Sequence, residues 1–208
     1  MNTPQLTVHV VDDDELFRNA IGRLLRAANH RVALYESGNG LLDRLAEMEP
    51  GCLLLDMRMP DLNGLQLQER LNALDSILPI IFLTGHGDVP MAVHAIKAGA
   101  HDLLVKPVDK TTLLETIGRA FARYRERHER RERLNGMQRL LDSLTRRERE
   151  VFGLVVRGKL SKQIAFELGI SERTIKAHRR SVMQKLQVQS LAEAVLIAEK
   201  LGIVGSNQ

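Results

Sequence analysis

Five short apolar runs, separated by amphipathic stretches, dominate the first 110 or so residues of this 208-residue chain. Each run is short and rich in Val, Ile or Leu, which is typical of strands that are buried on both faces of a parallel sheet. The runs are Leu6–Val11, Arg31–Tyr35, Cys52–Leu55, Ile80–Leu83 and Asp102–Val105. The intervening stretches with helical apolar spacing are 16–28, 40–48, 65–74 and 89–98. These repeats predict a doubly wound α/β domain with a five-stranded parallel sheet.

The pattern changes after Thr111, where runs of strand type end. Residues 123–133 interleave Arg and Glu at helical spacing, which indicates an exposed helix laced with ion pairs. We interpret 123–140 as a helical linker or a weak helix-pairing surface, between a first domain over 1–122 and a second over 141–208. Capping residues predict four short helices in the second domain. The N-caps are Thr145, Ser161, Ser171 and Ser190, and the C-cap glycines are Gly158 and Gly169. Thr145 with Glu148, and Ser190 with Glu193, have the spacing of capping boxes.

Charge is distributed unevenly along the chain. Residues 1–122 contain 11 Lys and Arg against 16 Asp and Glu, a net charge of −5, whereas residues 123–208 contain 19 against 10, a net charge of +9. A basic second half favours a polyanionic partner such as nucleic acid, and a merely solvated basic face is the alternative. The single cysteine, Cys52, excludes an internal disulfide. Without a long apolar run or a signal-peptide pattern, we expect a cytoplasmic protein with no membrane partner.

Polar side chains follow four of the five predicted strands. Asp12–Asp14 follow the first strand, Asp56 ends the third, Thr84 ends the fourth and Lys106 follows the fifth. With a flavodoxin-like strand order, the first and third strands flank the point where ligands bind, and their carboxylates meet there. Mg²⁺ would relieve the repulsion among these carboxylates, and a carboxylate beside it can attack phosphorus. Isolated turn or cap roles are the alternative, and we expect Asp14 to be a helix cap.

The segments VVDDD, LLLDMRMPDLNG, LTGHGD and KP resemble the receiver domain of two-component response regulators over roughly residues 5–122. The resemblance implies that Asp56 is the phosphoacceptor, that Thr84 and Lys106 bind the phosphoryl group, and that the Lys106–Pro107 bond is cis. It also implies a bound Mg²⁺, with Mn²⁺ possible in its place. The metal ligands it implies are Asp13, Asp56, the backbone carbonyl of Arg58 and, mainly through water, Asp12.

One part of the receiver pattern departs from the family. Leu103 stands where the family usually has the Tyr or Phe that acts as a switch together with Thr84, and Val108 stands where Phe is common. Both residues are smaller and lack an aromatic ring. We therefore expect the pocket chemistry to be intact and the coupling between Thr84 and its switch partner to survive in weakened form.

Residues Ser161–Leu186 predict a helix-turn-helix, in which the second helix enters the major groove of DNA. Ile175, Val182 and Leu186 share one face of that helix and are predicted to pack inward. The sequences LTRREREV and GKLSKQIAFELGISERTIKAHRRSVMQKL resemble the LuxR-type DNA-binding domain over roughly residues 140–204. A small helical bundle with a solvated basic face is the alternative.

The second resemblance implies contacts with double-stranded DNA. Base edges would be read by Lys176, Ala177 and Arg180. Phosphates would be contacted by Ser161, Lys162, Thr174, His178, Arg179 and Lys185, although His178 also fits a core-edge role and many relatives carry Asn in place of Ser161. The last helix, 191–201, would form a dimer surface on DNA.

The order of receiver, linker and LuxR-type domain is that of the NarL/FixJ class, and the run TGHGDVPMAV favours the FixJ branch. The resemblance implies a transcription regulator rather than an enzyme. Phosphorylation of Asp56 by a cognate sensor histidine kinase would control dimerisation and sequence-specific DNA binding, with RNA polymerase as a further partner. We expect the dimer face on the fourth helix and fifth strand. Apolar surface beyond what one helix face needs for its own core comes from Val89, Met91, Ala92, Ala95 and Ile96, and part of it can pair with a second copy.

Two other functions are alternatives to this one. An aspartyl-phosphate phosphohydrolase of the haloacid-dehalogenase type needs a second Asp two residues after the nucleophile, where this chain has Arg58. A ligand-sensing LuxR-type regulator that is not phosphorylated predicts an apolar pocket in the first domain. The sequence offers a cluster of carboxylates there instead.

Overall fold

The structure is a computed structural model that describes residues 5–85 and 89–204. The chain divides between His128 and Glu129 into two compact units, which are described separately. Within the described residues, no helix is long and apolar enough to cross a membrane.

The first unit contains one sheet of five parallel strands in the order β2-β1-β3-β4-β5. The strands are β1 (Thr7–Val11), β2 (Arg31–Tyr35), β3 (Gly51–Asp56), β4 (Ile80–Thr84) and β5 (Asp102–Val105). The predicted fold class is therefore confirmed, and each strand lies within a residue of its predicted bounds. Val11 pairs with both Tyr35 and Leu55, so the residues that follow β1 lie beside the end of β3.

Both faces of the sheet are covered, which explains why the strand sequences are largely apolar. Alternate residues of a strand point to opposite faces. On one face Val8, Val10 and Leu54 pack against residues of α1 (Glu15–Ala27) and α5 (Lys110–Asp142). On the other face Leu53, Leu55 and Phe82 pack against residues of α2 (Gly38–Leu42), α3 (Gly64–Ala73) and α4 (Val89–Lys97).

The predicted helix over 40–48 is wrong in extent. The α2 helix ends at Leu42, and a 3₁₀ turn at Leu45–Glu47 follows it. Two glycines and an asparagine give this segment low helix propensity, and Pro50 disfavours helical backbone in the residue before it. The α5 helix, in contrast, continues through Gly136 to Asp142, so the whole of 123–140 is helical.

Over its described residues, 129–204, the second unit contains the end of α5 and four further helices. These are α6 (Arg146–Val156), α7 (Ser161–Leu168), α8 (Glu172–Lys185) and α9 (Leu191–Lys200). The predicted C-cap glycines are confirmed, since Gly158 and Gly169 have φ values of 82° and 64° in the left-handed region.

Three of the four predicted N-caps are confirmed. Thr145, Ser171 and Ser190 each accept a hydrogen bond from a backbone N–H in the first turn of their helix. The prediction for Ser161 is wrong, because Leu160 occupies the N-cap position and the Gln163 side chain accepts from its N–H. The capping box predicted at Ser190 forms only in part, since Glu193 accepts from the N–H of Gln189 instead.

Candidate functional site

Three carboxylates converge beyond the carboxyl ends of β1 and β3. Asp12, Asp13 and Asp56 each offer an oxygen, and these oxygens lie within 4.8 Å of one another. Asp12 and Asp56 are buried, whereas Asp13 is exposed. The pairing of Val11 with Leu55 places Asp12 beside Asp56, so the register of the sheet builds the cluster.

Lys106, which follows β5, reaches into this cluster. Its Nζ lies 2.7 Å from Asp12 Oδ2 and 2.6 Å from Asp56 Oδ1. The same ammonium lies 4.1 Å from the centre of the Phe17 ring, a distance that suits a cation–π contact. One ammonium against three carboxylates leaves a net charge of −2 on this group of side chains.

Burial and shared charge set the pKa values of the two central groups. Burial lowers the pKa of Lys106, but its hydrogen bonds to Asp12 and Asp56 outweigh that effect and raise it. Burial raises the pKa of Asp56, and the nearby Asp12 adds to the rise, while Lys106 opposes both. Asp56 is therefore a carboxylate whose charge is only partly compensated by its surroundings.

Backbone groups hold the carboxylates in place. Asp12 Oδ1 accepts from the N–H of Asp14 at 3.0 Å, and Asp56 Oδ2 accepts from the N–H of Arg58 at 3.0 Å. The Asp14 side chain accepts from two backbone N–H groups of α1, which confirms the predicted helix cap. The backbone of Gly64 packs directly against that of Asp56, because a Cβ at position 64 would lie only 2.5 Å from the Asp56 carbonyl oxygen.

Thr84 ends β4 next to the strand that leads into Lys106. Its hydroxyl is buried and donates to the carbonyl of Gly85 at 3.1 Å. The N–H of Lys106 donates to the Thr84 carbonyl at 2.7 Å, and the Lys106–Pro107 bond is cis, as the resemblance implies. Leu103 packs partly buried against the cluster that contains Phe82. His86 to Asp88, which belong to the segments LTGHGD and TGHGDVPMAV, lie outside the described residues.

The apolar residues predicted for a dimer face on α4 and β5 do not all reach the surface. Ala95 is fully buried and packs in the core, which is consistent with the expectation that only part of this apolar surface is free to pair with a second copy. Met91 and Ala92 are partly buried, Ile96 is exposed, and the side chain of Val89 is outside the described residues. Val93 and Val105 are exposed at 50% and 49%, and they add apolar surface that the sequence reasoning missed.

The helices α7 and α8 form a helix-turn-helix around Gly169. Ile175 and Val182 of α8 and its C-cap residue Leu186 are at most 3% exposed, which confirms the predicted inward face. The predicted base-reading residues Lys176, Ala177 and Arg180 are all exposed. Of the residues predicted to contact phosphate, Lys162 and Thr174 are exposed, and Ser161, His178, Arg179 and Lys185 are partly exposed.

Several of these side chains already have partners. Lys176 pairs with Glu172 at 2.9 Å within α8, and Thr174 shares a hydrogen bond of 2.8 Å with Ser171. Arg179 donates to the Ser161 hydroxyl at 3.3 Å. Lys185 lies 2.7 Å from Glu148 of α6, which is only 5% exposed.

Comparison with known proteins places both units in families. The family model described as the response regulator receiver domain matches residues 8–118, and the model of the luxR family of bacterial regulatory proteins matches residues 142–198. This chain belongs to the response regulators that carry a LuxR-type DNA-binding domain. It is a two-component transcription regulator, as the sequence predicts.

Relatives of this response regulator match it over most of their length. The response regulator protein TmoT of Ectopseudomonas mendocina is 39% identical over 201 residues, which are 97% of this chain and 91% of that protein. The transcriptional regulatory protein FixJ of Rhizobium meliloti is 39% identical over 192 residues, or 92% and 94% of the two chains. The predicted FixJ-like class is confirmed.

Solved structures agree with the fold. A low-resolution structure of the response regulator StyR is 45% identical, covers 94% of this chain and 99% of its own, and gives a TM-score of 0.80. The structure of full-length FixJ from B. japonicum is 37% identical, covers 98% and 100%, and gives a TM-score of 0.60.

The sequence reasoning missed one polar centre in this response regulator. Glu148 was recognised only as part of the Thr145 capping box. Its carboxylate also accepts from Ser181 Oγ at 2.6 Å and from Lys185 at 2.7 Å, so it joins α6 to α8. Burial of a glutamate could have been suspected from its position beside Val151 and Phe152, but its partners are 33 and 37 residues away in the sequence.

Proposed function

We propose that this response regulator accepts a phosphoryl group on Asp56 from a cognate sensor histidine kinase. Phosphorylation then controls dimerisation and sequence-specific binding to DNA, where RNA polymerase is a further partner. The observation that carries the proposal is the buried Asp56 carboxylate, which shares the ammonium of Lys106 with Asp12 at the carboxyl ends of the strands. We assign 1–122 to the receiver domain, 123–140 to the linker and 141–208 to the DNA-binding domain.

The charges around Asp56 fit a divalent cation. The net charge of −2 on Asp12, Asp13, Asp56 and Lys106 matches Mg²⁺, and oxygen is the ligand that this ion prefers. Asp13, Asp56 and the backbone carbonyl of Arg58 would hold Mg²⁺ or Mn²⁺, with Asp12 acting through water. When bound, the ion offsets negative charge on the oxygens of the phosphoryl group.

The chain's own groups account for the transfer step. An Asp56 carboxylate oxygen attacks the phosphorus of a phosphohistidine, the new O–P bond forms as the P–N bond breaks, and the imidazole leaves with that electron pair. Lys106 is within reach of the Asp56 oxygen and stabilises the negative charge of the transferred group. Thr84 can exchange its hydrogen bond to Gly85 for one to a phosphoryl oxygen.

The same two residues connect the site to the proposed dimer face. Thr84 and Lys106 bracket α4 and β5, so a group that binds both biases the segment between them. Exposed Val93, Ile96 and Val105 supply apolar surface on that segment, where a second copy can pack around a two-fold axis. Leu103 lies on β5 with Val105 and can change rotamer when Thr84 moves. Its side chain fills less of the vacated space than an aromatic ring would.

Phosphorylation of Asp56 is tested with acetyl phosphate and Mg²⁺. We expect labelled phosphate to reach one per chain, and the Asp56→Asn variant to incorporate none. The control is Asp61→Asn, an exposed position with φ of 62°, which asparagine tolerates well. Equal labelling of the Asp56→Asn variant would disprove the assignment, and steady release of phosphate over many turnovers would indicate a phosphohydrolase.

DNA binding is proposed to use the exposed face of α8, with Lys176, Ala177 and Arg180 at base edges. The phosphate contacts would come from Ser161, Lys162, Thr174, His178, Arg179 and Lys185, and α9 would pair two copies on DNA through exposed Leu191 and Leu196. Arg180→Ala should lower discrimination between operator and random DNA by about 1–3 kcal/mol. Lys162→Ala should weaken both equally and lower the salt slope by about one. Equal losses on both DNAs for Arg180→Ala would contradict base reading.

A further inference from the structure

A cavity of about 130 Å³ lies in the second unit between α6, α8 and α9. Five of its lining residues are buried: Val151, Phe152, Val155, Val182 and Ala194. Arg179, Met183 and Leu191 complete the lining and reach solvent, so the cavity opens on their side. Apart from Arg179, every lining residue is apolar.

The size of the cavity defines what it can hold. Protein interiors are packed closely, with few voids larger than a water molecule. An apolar cavity of roughly 150 Å³ in another protein stays dry and binds benzene. The cavity here is slightly smaller and is lined by aliphatic side chains together with Phe152, so it suits a single six-membered ring and excludes a second.

Arg179 is the charged residue among those that line the cavity, and its guanidinium reaches a ligand there by turning away from the Ser161 hydroxyl. Its guanidinium donates to the Ser161 hydroxyl at 3.3 Å, and no carboxylate pairs with it in the part of the chain that the structure describes. Lys176 and Lys185 on the same helix, in contrast, each have a carboxylate within 3 Å. Guanidinium groups bind carboxylates through two parallel hydrogen bonds, which favours a carboxylate ligand at this position.

We propose that this cavity binds a small aromatic carboxylate, with its ring among Val155, Val182 and Ala194 and its carboxylate on Arg179. A ligand held in this way occupies a guanidinium that the proposed function assigns to a DNA phosphate. Ligand and DNA then oppose each other, because each lowers the affinity for the other by the same factor. This opposition rests on the proposed function, whereas ligand binding itself does not.

Binding is tested on the full chain by methyl NMR with three probes. Benzoate carries both ring and charge, benzyl alcohol carries the ring alone, and acetate carries the charge alone. We expect benzoate to shift the methyl signals of Val155, Val182 and Ala194, benzyl alcohol to bind at least tenfold more weakly, and acetate to shift none of them. Shifts spread over the surface, or equal affinity for benzoate and benzyl alcohol, would overturn the proposal.

Two substitutions locate the ligand. Arg179→Gln should reduce benzoate affinity at least tenfold and leave benzyl alcohol affinity unchanged, while the exposed Arg173→Gln on the same helix should change neither. Ala194→Val narrows the cavity and should abolish both. If Ala194→Val fails to fold, the affinities of Arg179→Gln for the two probes still test the proposal. An equal loss of affinity for benzoate and benzyl alcohol in that variant would refute a contact between the carboxylate and Arg179.

The effect on DNA is measured separately by fluorescence anisotropy of a labelled duplex. Benzoate should weaken DNA binding by the unaltered protein, lower its salt slope by about one, and have no effect on Arg179→Gln. Bound benzoate that leaves DNA affinity unchanged would refute the opposition. If Arg179→Gln, measured without benzoate, has the same salt slope as the unaltered protein, then the phosphate contact that the proposed function assigns to Arg179 is wrong, and the ligand site is not contradicted.

Discussion

Glu148 is a buried charged group whose removal is expected to destabilise the second unit. Its hydrogen bonds with Lys185, Ser181 and the Thr145 backbone lower the pKa of Glu148 from 4.5 to about 2, and the residue is only 5% exposed. Glu148→Gln keeps the shape and one carbonyl oxygen, so the cap on the Thr145 N–H can survive. The substitution removes the negative charge and with it the ion pair to Lys185.

The expected loss follows from the pKa. Lowering the pKa from 4.5 to about 2 corresponds to about 3 kcal/mol of folding free energy, at ~1.36 kcal/mol for each tenfold change in acidity. Lys185 is 36% exposed on its side chain and can turn to water in the variant, which reduces the loss. We therefore expect Glu148→Gln to lower the free energy of unfolding by about 2–3 kcal/mol at neutral pH.

The sign of the pH dependence identifies the charge as the cause. A carboxylate whose folded pKa is lowered stabilises the fold fully above pH 4.5 and loses this contribution as the pH falls towards 2. The difference between the unaltered protein and Glu148→Gln should therefore be constant from neutral pH down to pH 5. It should shrink steadily below pH 4.5.

Guanidinium denaturation of the full chain measures this difference. The chain has no Trp, and both of its tyrosines, Tyr35 and Tyr124, lie in the first unit. Tyrosine fluorescence therefore follows the first unit alone, whereas far-ultraviolet circular dichroism follows both. The control is Glu150→Gln, the same change at a partly exposed carboxylate of α6 that pairs with the neighbouring Arg146 and Arg147, and it should have little effect. A loss that is equal for the two variants, or that persists unchanged near pH 3, would refute the reasoning.

Three further predictions concern the first unit. Burial lowers the pKa of His9, so below pH 6.5 the unfolded chain binds a proton that the folded chain does not, and the free energy of unfolding should fall as the pH falls. His9→Gln should reduce this dependence of the unfolding free energy on pH by up to one proton. An unchanged dependence on pH in the variant would contradict this role of His9. Lys106→Met raises the net negative charge around Asp56, so calorimetry should show tighter Mg²⁺ binding while the incorporation of labelled phosphate falls. The control is Lys97→Met at an exposed position. Weaker Mg²⁺ binding by Lys106→Met would contradict this prediction. Gly64→Ala should lower the unfolding midpoint and phosphate labelling, since its Cβ would lie 2.5 Å from the Asp56 carbonyl oxygen and 2.8 Å from Phe82. The control Gly136→Ala has open space and should stabilise α5 by about 1 kcal/mol, and similar behaviour of the two variants would exclude a steric cause.

The residues of the carboxylate cluster could be predicted because their positions depend on strand ends alone. Strand periodicity places Asp12, Asp56, Thr84 and Lys106 at the carboxyl ends of neighbouring strands, and the strand order then brings them together. The sequence could not show that one ammonium would serve both Asp12 and Asp56. That detail depends on the path of a long lysine side chain past Phe17.

The parts that were predicted wrongly depend on balances between weak effects. The helix over 40–48 was favoured by apolar spacing but opposed by glycine and proline, and the latter effect prevails beyond Leu42. Ser161 has the type of side chain that caps a helix, yet Gln163 satisfies the Leu160 N–H one residue earlier. The sequence also left open which apolar residues of α4 point outward, because their spacing alone does not show that Ala95 is buried while Ile96 is exposed.

The two units contain the same kind of ion pair in opposite electrostatic settings. Lys106 lies 2.6 Å from Asp56, and Lys185 lies 2.7 Å from Glu148, so distance does not distinguish them. Asp56 shares the ammonium of Lys106 with Asp12, and the pKa of Asp56 is raised. Glu148, in contrast, accepts hydrogen bonds from Lys185, Ser181 and the Thr145 N–H, and its pKa is lowered to about 2. A carboxylate whose charge is only partly compensated is stabilised by binding a cation or by forming a bond to a phosphoryl group, so it suits a reactive site. An overcompensated carboxylate gains nothing from reacting and suits only the fixing of α8 against α6. A lysine paired with a buried carboxylate therefore indicates a reactive site when the carboxylates outnumber the donors, and a structural site when the donors are in excess.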